Sequence, residues 1–156
     1  MTVLSAHAQL LLYKTWAPWE PDSFLAAWAL KRYVYPEAEF MSFPKGTPLL
    51  PGTAPEMMID TPNAKYRRNA TKTAFEEVVR IHNLKIPCYA RIRAIVRLLE
   101  MSRWRKSENR EAEDFERNLR SLLPQGPATG GLDAAFAYAD EFCRLHKEKD
   151  DADGRE

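Results

Sequence analysis

The sequence predicts an α/β fold with a small, mainly parallel sheet of three strands, about five helices and a helical second half. Two observations carry this prediction. Short apolar or alternating runs near residues 9–14, 38–43 and 56–60 are typical of strands, and apolar residues recur at helical spacing over most of the chain after residue 70. Because the chain opens with a strand, a helix and a strand, we expect a parallel pair joined by a right-handed crossover.

The organising segment is the strand, loop and helix from Gln9 to Pro36. Its helix is expected to begin near Pro21, which suits a first helical turn, and to end before Pro36. In an open α/β sheet, ligands lie at the carboxyl ends of the strands. The loop from Lys14 to Asp22 is therefore the predicted site of function. Asp22 either caps the helix or marks a helix N-terminus that attracts anions.

Two further segments complete the predicted sheet. Residues 38–43 alternate in polarity, and the run EMMID ends on Asp60, which lies either beside Asp22 at one edge of the sheet or as a cap of the next turn. The proline-rich loop between these strands contains Leu49, which predicts that the loop packs onto the molecule. Helices are then expected at residues 71–83, 86–104, 111–123 and 132–147, with a breaker segment at 124–131.

Length and composition predict a single domain. A chain of 156 residues with 45% hydrophobic content is enough for one core, which we assign to residues 1–149, followed by a polar tail at 150–156 that is expected to be disordered. Apolar runs are too short to span a membrane, and the first residues do not resemble a secretory signal. A cytoplasmic protein is therefore expected, with its oligomeric state left open.

Cysteine and histidine residues form no familiar metal or nucleophile motif. Cys88 and Cys143 lie far apart at apolar positions of predicted helices, which is typical of buried free thiols in an intracellular chain. The chain has no paired zinc-ligand motif, no serine-hydrolase motif and no glycine-rich phosphate loop. Enzymes of those classes are therefore not expected.

The net charge of +1 conceals a division along the chain. Residues 65–106 hold twelve Lys or Arg against three Glu, a balance of +9, whereas residues 1–64 carry −2 and residues 107–156 carry −6. A cationic cluster around Tyr66 suits a phosphodiester backbone; its members are Lys65, Arg67, Arg68 and Lys72. An acidic protein partner, or neutralisation by the chain's own acidic helices, explains the same charges.

Three groups of segments together carry a family resemblance: YKTWAPWEPDSFLAAWALKRY with PEAEFMSFPKGTP, then EMMID, and then IRAIVRLLEMSRWRKSENREAEDFERNL. They resemble the DHH family of phosphoesterases. The resemblance implies a core that binds two divalent metal ions, often manganese, and hydrolyses phosphate esters, with Asp22 and Asp60 as metal ligands. The family's Asp-His-His signature is absent, and Arg68, Asn69 and Ala70 stand in its place. This departure favours a family member that has lost catalysis.

The first functional hypothesis is accordingly a non-catalytic binding module on a reduced DHH-like core. It uses the cationic cluster and Lys14 to hold a nucleic acid, a nucleotide or an acidic protein, and it needs no cofactor. A competing hypothesis is a protein-interaction or inhibitor protein, in which the loop tryptophans Trp16 and Trp19 anchor an interface.

A third hypothesis is a metal-dependent phosphodiesterase. It requires Asp22 and Asp60 to converge on Mn²⁺ or Mg²⁺, because hard cations favour oxygen ligands. Glu100 and His82 would then replace the ligands that the DHH pattern lacks here.

Overall fold

The computed structural model describes residues 11–49 and 53–147, and it confirms the α/β fold with a helical second half. The predicted tail at 150–156 lies outside this part of the chain. The helices and strands described are β1 (Leu12–Trp16), α1 (Pro21–Tyr33), β2 (Glu39–Phe43), α2 (Ala74–His82), α3 (Tyr89–Met101), α4 (Arg110–Leu122), β3 (Ala128–Thr129) and α5 (Asp133–Leu145). Short 3₁₀ helices at Pro55–Met57 and Arg103–Glu108 lie in the connections. No helix within 11–49 and 53–147 has the length and apolar character that a membrane span requires.

The sheet has the order β1-β2-β3 and is mixed. β1 and β2 are parallel, from Leu12 opposite Glu39 to Trp16 opposite Phe43, and α1 connects them as predicted. β3 runs antiparallel to β2. The parallel pair places the carboxyl end of β1 beside that of β2, where the loops leading to α1 and away from β2 meet.

The third strand is a different segment from the one predicted. Residues 56–60 contain the end of a 3₁₀ turn and a parallel bridge to β1, in which the Ile59 N–H donates to the Lys14 carbonyl at 3.0 Å. This pairing does not extend further because Asp60 adopts a positive φ of 53°, which is outside the strand region. β3 lies instead inside the proline- and glycine-rich segment that was predicted to be a breaker.

Helix α1 is the centre of the core. Every residue from Pro21 to Leu30 is buried, because α2, α3 and α4 all pack against this helix and its aromatic side chains join those of the sheet in one cluster. Near its C-terminal end, Trp28 donates its indole N–H to Asp140 of α5 at 2.8 Å, and Arg32 pairs with the same carboxylate. Each helix of the second half is thus positioned directly or indirectly by α1.

The two faces of β1 have different neighbours. Tyr13 and Thr15 face the core and are buried, whereas Lys14 and Trp16 lie on the opposite face and are half-buried. A second, smaller cluster covers part of this opposite face; its members are Leu49, Met58 and Ala64, packed with Trp16 and Phe43. The loop after β2 therefore packs onto the molecule at Leu49, as predicted.

Cys88 and Cys143 form a disulfide, so the prediction of free thiols is wrong. Cys88 immediately precedes α3 and Cys143 lies near the end of α5. Their Cα atoms are 5.1 Å apart although 55 residues separate them in the chain. Both side chains are buried, as predicted, but spacing along the chain does not reveal that the two helices meet at these positions.

Glu76 joins α2 to α3. Its side chain is buried, closes a capping box with Thr73, and accepts hydrogen bonds from Arg93 at 2.7 Å and Arg97 at 2.8 Å. Burial by itself raises the pKa of Glu76, but the Thr73 N–H and the two guanidinium groups outweigh burial and hold the pKa below its usual range. Glu76 is therefore ionised in the interior, and these donors stabilise its charged form.

Replacing Glu76 by Gln is expected to lower the free energy of unfolding by about 1.5–3 kcal/mol, because hydrogen bonds to a charged group are lost on both arginines. Urea unfolding at pH 7 measures the change. The matched control is Glu141→Gln, which removes an exposed pair with Arg144 and should leave the free energy of unfolding nearly unchanged. Equal losses in the two variants would contradict a special role for Glu76.

Candidate functional site

The carboxyl end of β1 leads into α1 through a tightly bonded turn. Glu20 caps the helix: its backbone N–H donates to the Ser23 hydroxyl at 3.0 Å, and Pro21 occupies the first turn as predicted. Asp22 points elsewhere. Its two carboxylate oxygens accept the N–H groups of Ala74 at 2.8 Å and Phe75 at 2.9 Å, the first residues of α2. Asp22 therefore caps α2 and not its own helix, and the protein's own carboxylate occupies that anion-attracting helix end.

Asp22 belongs to a group of interacting carboxyl groups. Burial, together with the charges of Asp60 and Glu100, raises the pKa of Asp22 to about 7, although the two N–H groups of α2 oppose the shift. Burial also raises the pKa values of Asp60 and Glu100, against the lowering effect of Arg68. Arg68 lies between these two: its backbone N–H donates to Asp60 at 3.3 Å and its guanidinium donates to Glu100 at 2.8 Å.

Asp22 and Asp60 therefore lie in the same region, where their charges interact. The residues present nevertheless do not fit a divalent metal site. Within 11–49 and 53–147, no group of three or more His, Cys, Asp or Glu side chains is placed to hold a metal ion. Asp22 uses both oxygens on backbone N–H groups, and Arg68 adds a positive charge beside the other two carboxyl groups. His82 bonds to the Tyr66 hydroxyl at 2.7 Å instead.

Most cations of the central basic segment are neutralised inside the molecule. Among the described ion pairs, buried Glu116 of α4 is contacted by Arg103, Lys106 and Arg120. The other pairs of this segment are Arg68 with Glu100, Arg80 with Glu77, Arg91 with Glu111, Arg105 with Glu108, and Arg93 and Arg97 with Glu76. Acids of residues 107–156 thus pair with four cations of the segment, Arg91, Arg103, Arg105 and Lys106, whereas the other paired cations use the three Glu of the segment itself.

Four of the predicted binding cations differ from these in their lack of a carboxylate partner among the described residues. Lys14, Lys65, Arg67 and Lys72 form no ion pair with any carboxylate in the described part of the chain. Lys14 lies over the Phe43 ring and Lys65 over the Tyr66 ring, each with 5.7 Å from Nζ to the ring centroid. Arg67 donates to the Pro62 carbonyl. These positive charges remain available to an anion.

A small apolar pocket lies between Trp16 of β1 and two loops, and Arg67 contacts one of its lining residues, Pro62. Its volume is about 170 Å³, and we call it the Trp16 pocket; it is lined by Trp16, Thr47, Pro48, Leu49, Met58, Thr61, Pro62 and Asn63. The indole N–H of Trp16 donates a hydrogen bond to the Thr47 carbonyl at 2.8 Å, which orients the ring. The buried Thr61 hydroxyl has no hydrogen-bond partner among the described residues. This hydroxyl is inaccessible, so the wall that a ligand would meet is aromatic and apolar.

Comparison with known families identifies the chain. The family model described as ChrB, C-terminal domain, matches residues 13–145. The chain belongs to the ChrB C-terminal domain family. No DHH family model matches, so the resemblance to that family is wrong. No curated protein and no solved structure matches the chain.

Within this ChrB C-terminal domain, the two loop tryptophans have different surroundings. Trp16 lines the pocket that bears its name, whereas Trp19 is only 2% exposed and its ring meets Phe40 edge-on in the main core. Trp19 is therefore not available as an interface anchor, and Trp16 alone keeps the predicted role. Sequence reasoning missed the pocket because its walls come from three separate segments, around Trp16, 47–49 and 58–63.

The raised pKa of Asp22 predicts a pH-dependent stability. The folded chain holds the Asp22 proton more tightly than the unfolded chain does. The stability that this proton gives the folded state is therefore complete below pH 4 and is lost as the pH rises to about 7. We expect the unfolding free energy of the native chain, minus that of Asp22→Asn, to fall between pH 5 and 7 by at most about 1.4 kcal/mol per pH unit.

Urea unfolding at several pH values from 5 to 8.5 measures this difference, which should become constant above pH 8. Asp114→Asn, which removes an exposed partner of Arg117, is the control and should give a flat difference. A flat difference for Asp22→Asn as well would show that its carboxyl group titrates normally.

Proposed function

We propose that this ChrB C-terminal domain is a non-catalytic module that binds an anionic ligand with a flat ring, such as a nucleotide or a strand of nucleic acid. The observation that carries the proposal is the Trp16 pocket with unpaired cations at its edge. An aromatic wall favours a ring, and the cations favour a phosphate.

The size of the pocket limits what enters it. A cavity of about 150 Å³ accommodates benzene, whereas pockets for complete drug-sized ligands span about 300–1,000 Å³. At about 170 Å³, the Trp16 pocket suits a single ring system and leaves the charged part of the ligand outside.

The cations outside the pocket suit the charged part. Arg67 bonds to Pro62, a wall residue, and so its guanidinium lies at the edge of the pocket with further N–H groups to donate. Lys14 is two residues before Trp16 and lies on the same face of β1. Lys65 precedes Tyr66 in the same loop as Arg67. A phosphate group gains charge-assisted hydrogen bonds here at the cost of no existing ion pair.

The other hypotheses receive less support from the same geometry. An acidic protein accounts for the cations but leaves the ring-sized pocket without an occupant. A phosphodiesterase that uses Asp22 and Asp60 with Mn²⁺ or Mg²⁺ remains a prediction without a third ligand in the described residues. A chain that binds a nucleotide and returns it unchanged, as followed by chromatography of the ligand, separates binding from hydrolysis.

Binding of thymidine monophosphate tests the proposal directly. Trp16→Leu and Arg67→Ala are each expected to weaken the affinity about 10-fold, since the first removes ring stacking and the second removes charge-assisted hydrogen bonds. Isothermal titration calorimetry at low salt measures the affinities. The matched control is Arg144→Ala on α5, whose partner is the exposed Glu141. Absence of binding at millimolar nucleotide, or full affinity in both pocket variants, would contradict the proposal.

We also propose a cytoplasmic location, where such ligands are available, and the disulfide makes this testable. The cytoplasm keeps most thiols reduced, so a cytoplasmic chain is expected to carry Cys88 and Cys143 as thiols, whereas an oxidising compartment preserves the bond. Acid quenching of intact cells, alkylation of the denatured chain and a mass measurement distinguish the two states. An unalkylated, oxidised chain would argue against the cytoplasm.

A further inference from the structure

The disulfide borders a surface pocket at one of its two cysteines. This pocket lies beside α5 and has a volume of about 230 Å³; its lining includes Trp28, Tyr33, Cys143, Arg144 and Lys147. Cys143 is 6% exposed, whereas Cys88 has no exposed surface and does not line the pocket. A molecule that enters the pocket therefore meets Cys143 and not Cys88.

The two cysteines also lie at opposite ends of their helices. Cys88 is the N-terminal cap residue of α3, whose first turn contains no acidic residue. A helix N-terminus stabilises a thiolate, and a sulfur that departs as a stabilised thiolate leaves faster. Cys143 lies in the last turn of α5, where the helix dipole opposes a negative charge. Access and leaving group therefore both favour attack on Cys143 with departure of Cys88.

The charges and the size of the pocket indicate which thiols enter it. Lys147 forms no ion pair with a carboxylate in the described part of the chain, and the partner of Arg144 is an exposed glutamate. The lining carboxylate, Asp140, is already paired with Arg32. The pocket thus presents positive charge, which attracts a thiolate and any carboxylates attached to it. Its volume is below the range of about 300–1,000 Å³ for drug-sized ligands, which suits a small thiol.

We propose that Cys143 is a site of reversible modification by a small anionic thiol, with Cys88 as the leaving and resolving group. The attacking thiolate forms a bond to Sγ of Cys143, the bond between the two Sγ atoms breaks, and its electron pair leaves on Sγ of Cys88, which takes a proton from solvent. The product is a mixed disulfide at Cys143. Attack by Cys88 on this product restores the link between α3 and α5.

Complete reduction needs a second molecule of the small thiol. Its thiolate attacks the sulfur of the first molecule in the mixed disulfide, and Cys143 leaves as a thiolate that takes a proton. The two small thiols are thereby oxidised to their own disulfide, and the protein disulfide is reduced to two thiols. This chemistry is independent of the Trp16 pocket and of its proposed ligand.

Reaction of the oxidised native chain with glutathione, a small thiol that carries carboxylates, tests the proposal. The reaction is quenched with acid at short times, the free thiols are alkylated, and peptide mapping by mass spectrometry locates the glutathione. Without any denaturant, we expect the adduct at least about 10-fold more often on Cys143 than on Cys88. Equal amounts on the two cysteines, an excess on Cys88, or a reaction that begins only when denaturant unfolds the chain would overturn the proposal.

Charge reversal tests the role of the pocket. Arg144→Glu and Lys147→Glu are each expected to slow the reaction about 5-fold at low salt, since each replaces attraction of the thiolate by repulsion. Both side chains are exposed, so both variants are expected to fold, which circular dichroism verifies. The matched control is Arg117→Glu on α4, whose partner Asp114 is exposed, and it should react at the native rate. Native rates in both pocket variants, or equal slowing in the control, would reject selection of an anionic thiol by this pocket.

Discussion

The carboxyl group of Asp22 connects the two parts of this chain. It lies in the first turn of α1, at the end of the strand-loop-helix segment, and accepts the first N–H groups of α2 at 2.8 and 2.9 Å. Thr73 and Glu76 satisfy the next groups of the same helix end through a capping box. The start of α2 is therefore fixed onto α1 by a buried polar contact, and an unbonded helix end at this depth would be costly. The loop of residues 60–73, which carries the candidate binding cations, is held between Asp60 at one end and this cap at the other.

The positions of the buried carboxylates determine which cations are neutralised. Glu76 and Glu116 are buried and both bond to arginines: Glu76 of α2 to Arg93 and Arg97 of α3, and Glu116 of α4 to Arg103 of the preceding 3₁₀ helix and to Arg120 of its own helix. Among the described cations without a carboxylate partner are Lys14 on β1 and Lys65 and Arg67 in the loop after Asp60. The local excess of +9 in the sequence therefore overstates the positive charge that is free of carboxylate partners.

The mistaken family resemblance has a physical explanation. A strand followed by a polar loop and an alanine-rich helix is a common solution for packing a helix closely onto a sheet, and the structure shows why alanine is needed: Ala26, Ala27 and Ala29 are fully buried in α1. The same need produces similar sequences in unrelated α/β proteins. An aspartate in the first helical turn also looks like a metal ligand until its hydrogen-bond partners are known. In this ChrB C-terminal domain those partners are backbone N–H groups 52 and 53 residues away.

The sequence by itself determined the local features of this protein. Periodicity revealed the first two strands and the helices, proline and glycine marked most of the boundaries, and the basic loop was visible from its composition, because each of these depends on neighbouring residues. The tertiary structure alone decided that residues 56–60 leave the sheet while β3 completes it, that Cys88 meets Cys143, and that Trp19 is buried while Trp104 is exposed. It also decided which cations have carboxylate partners. These outcomes depend on which residues far apart in the chain become neighbours, and that information is a property of the packed molecule and not of any local stretch of sequence.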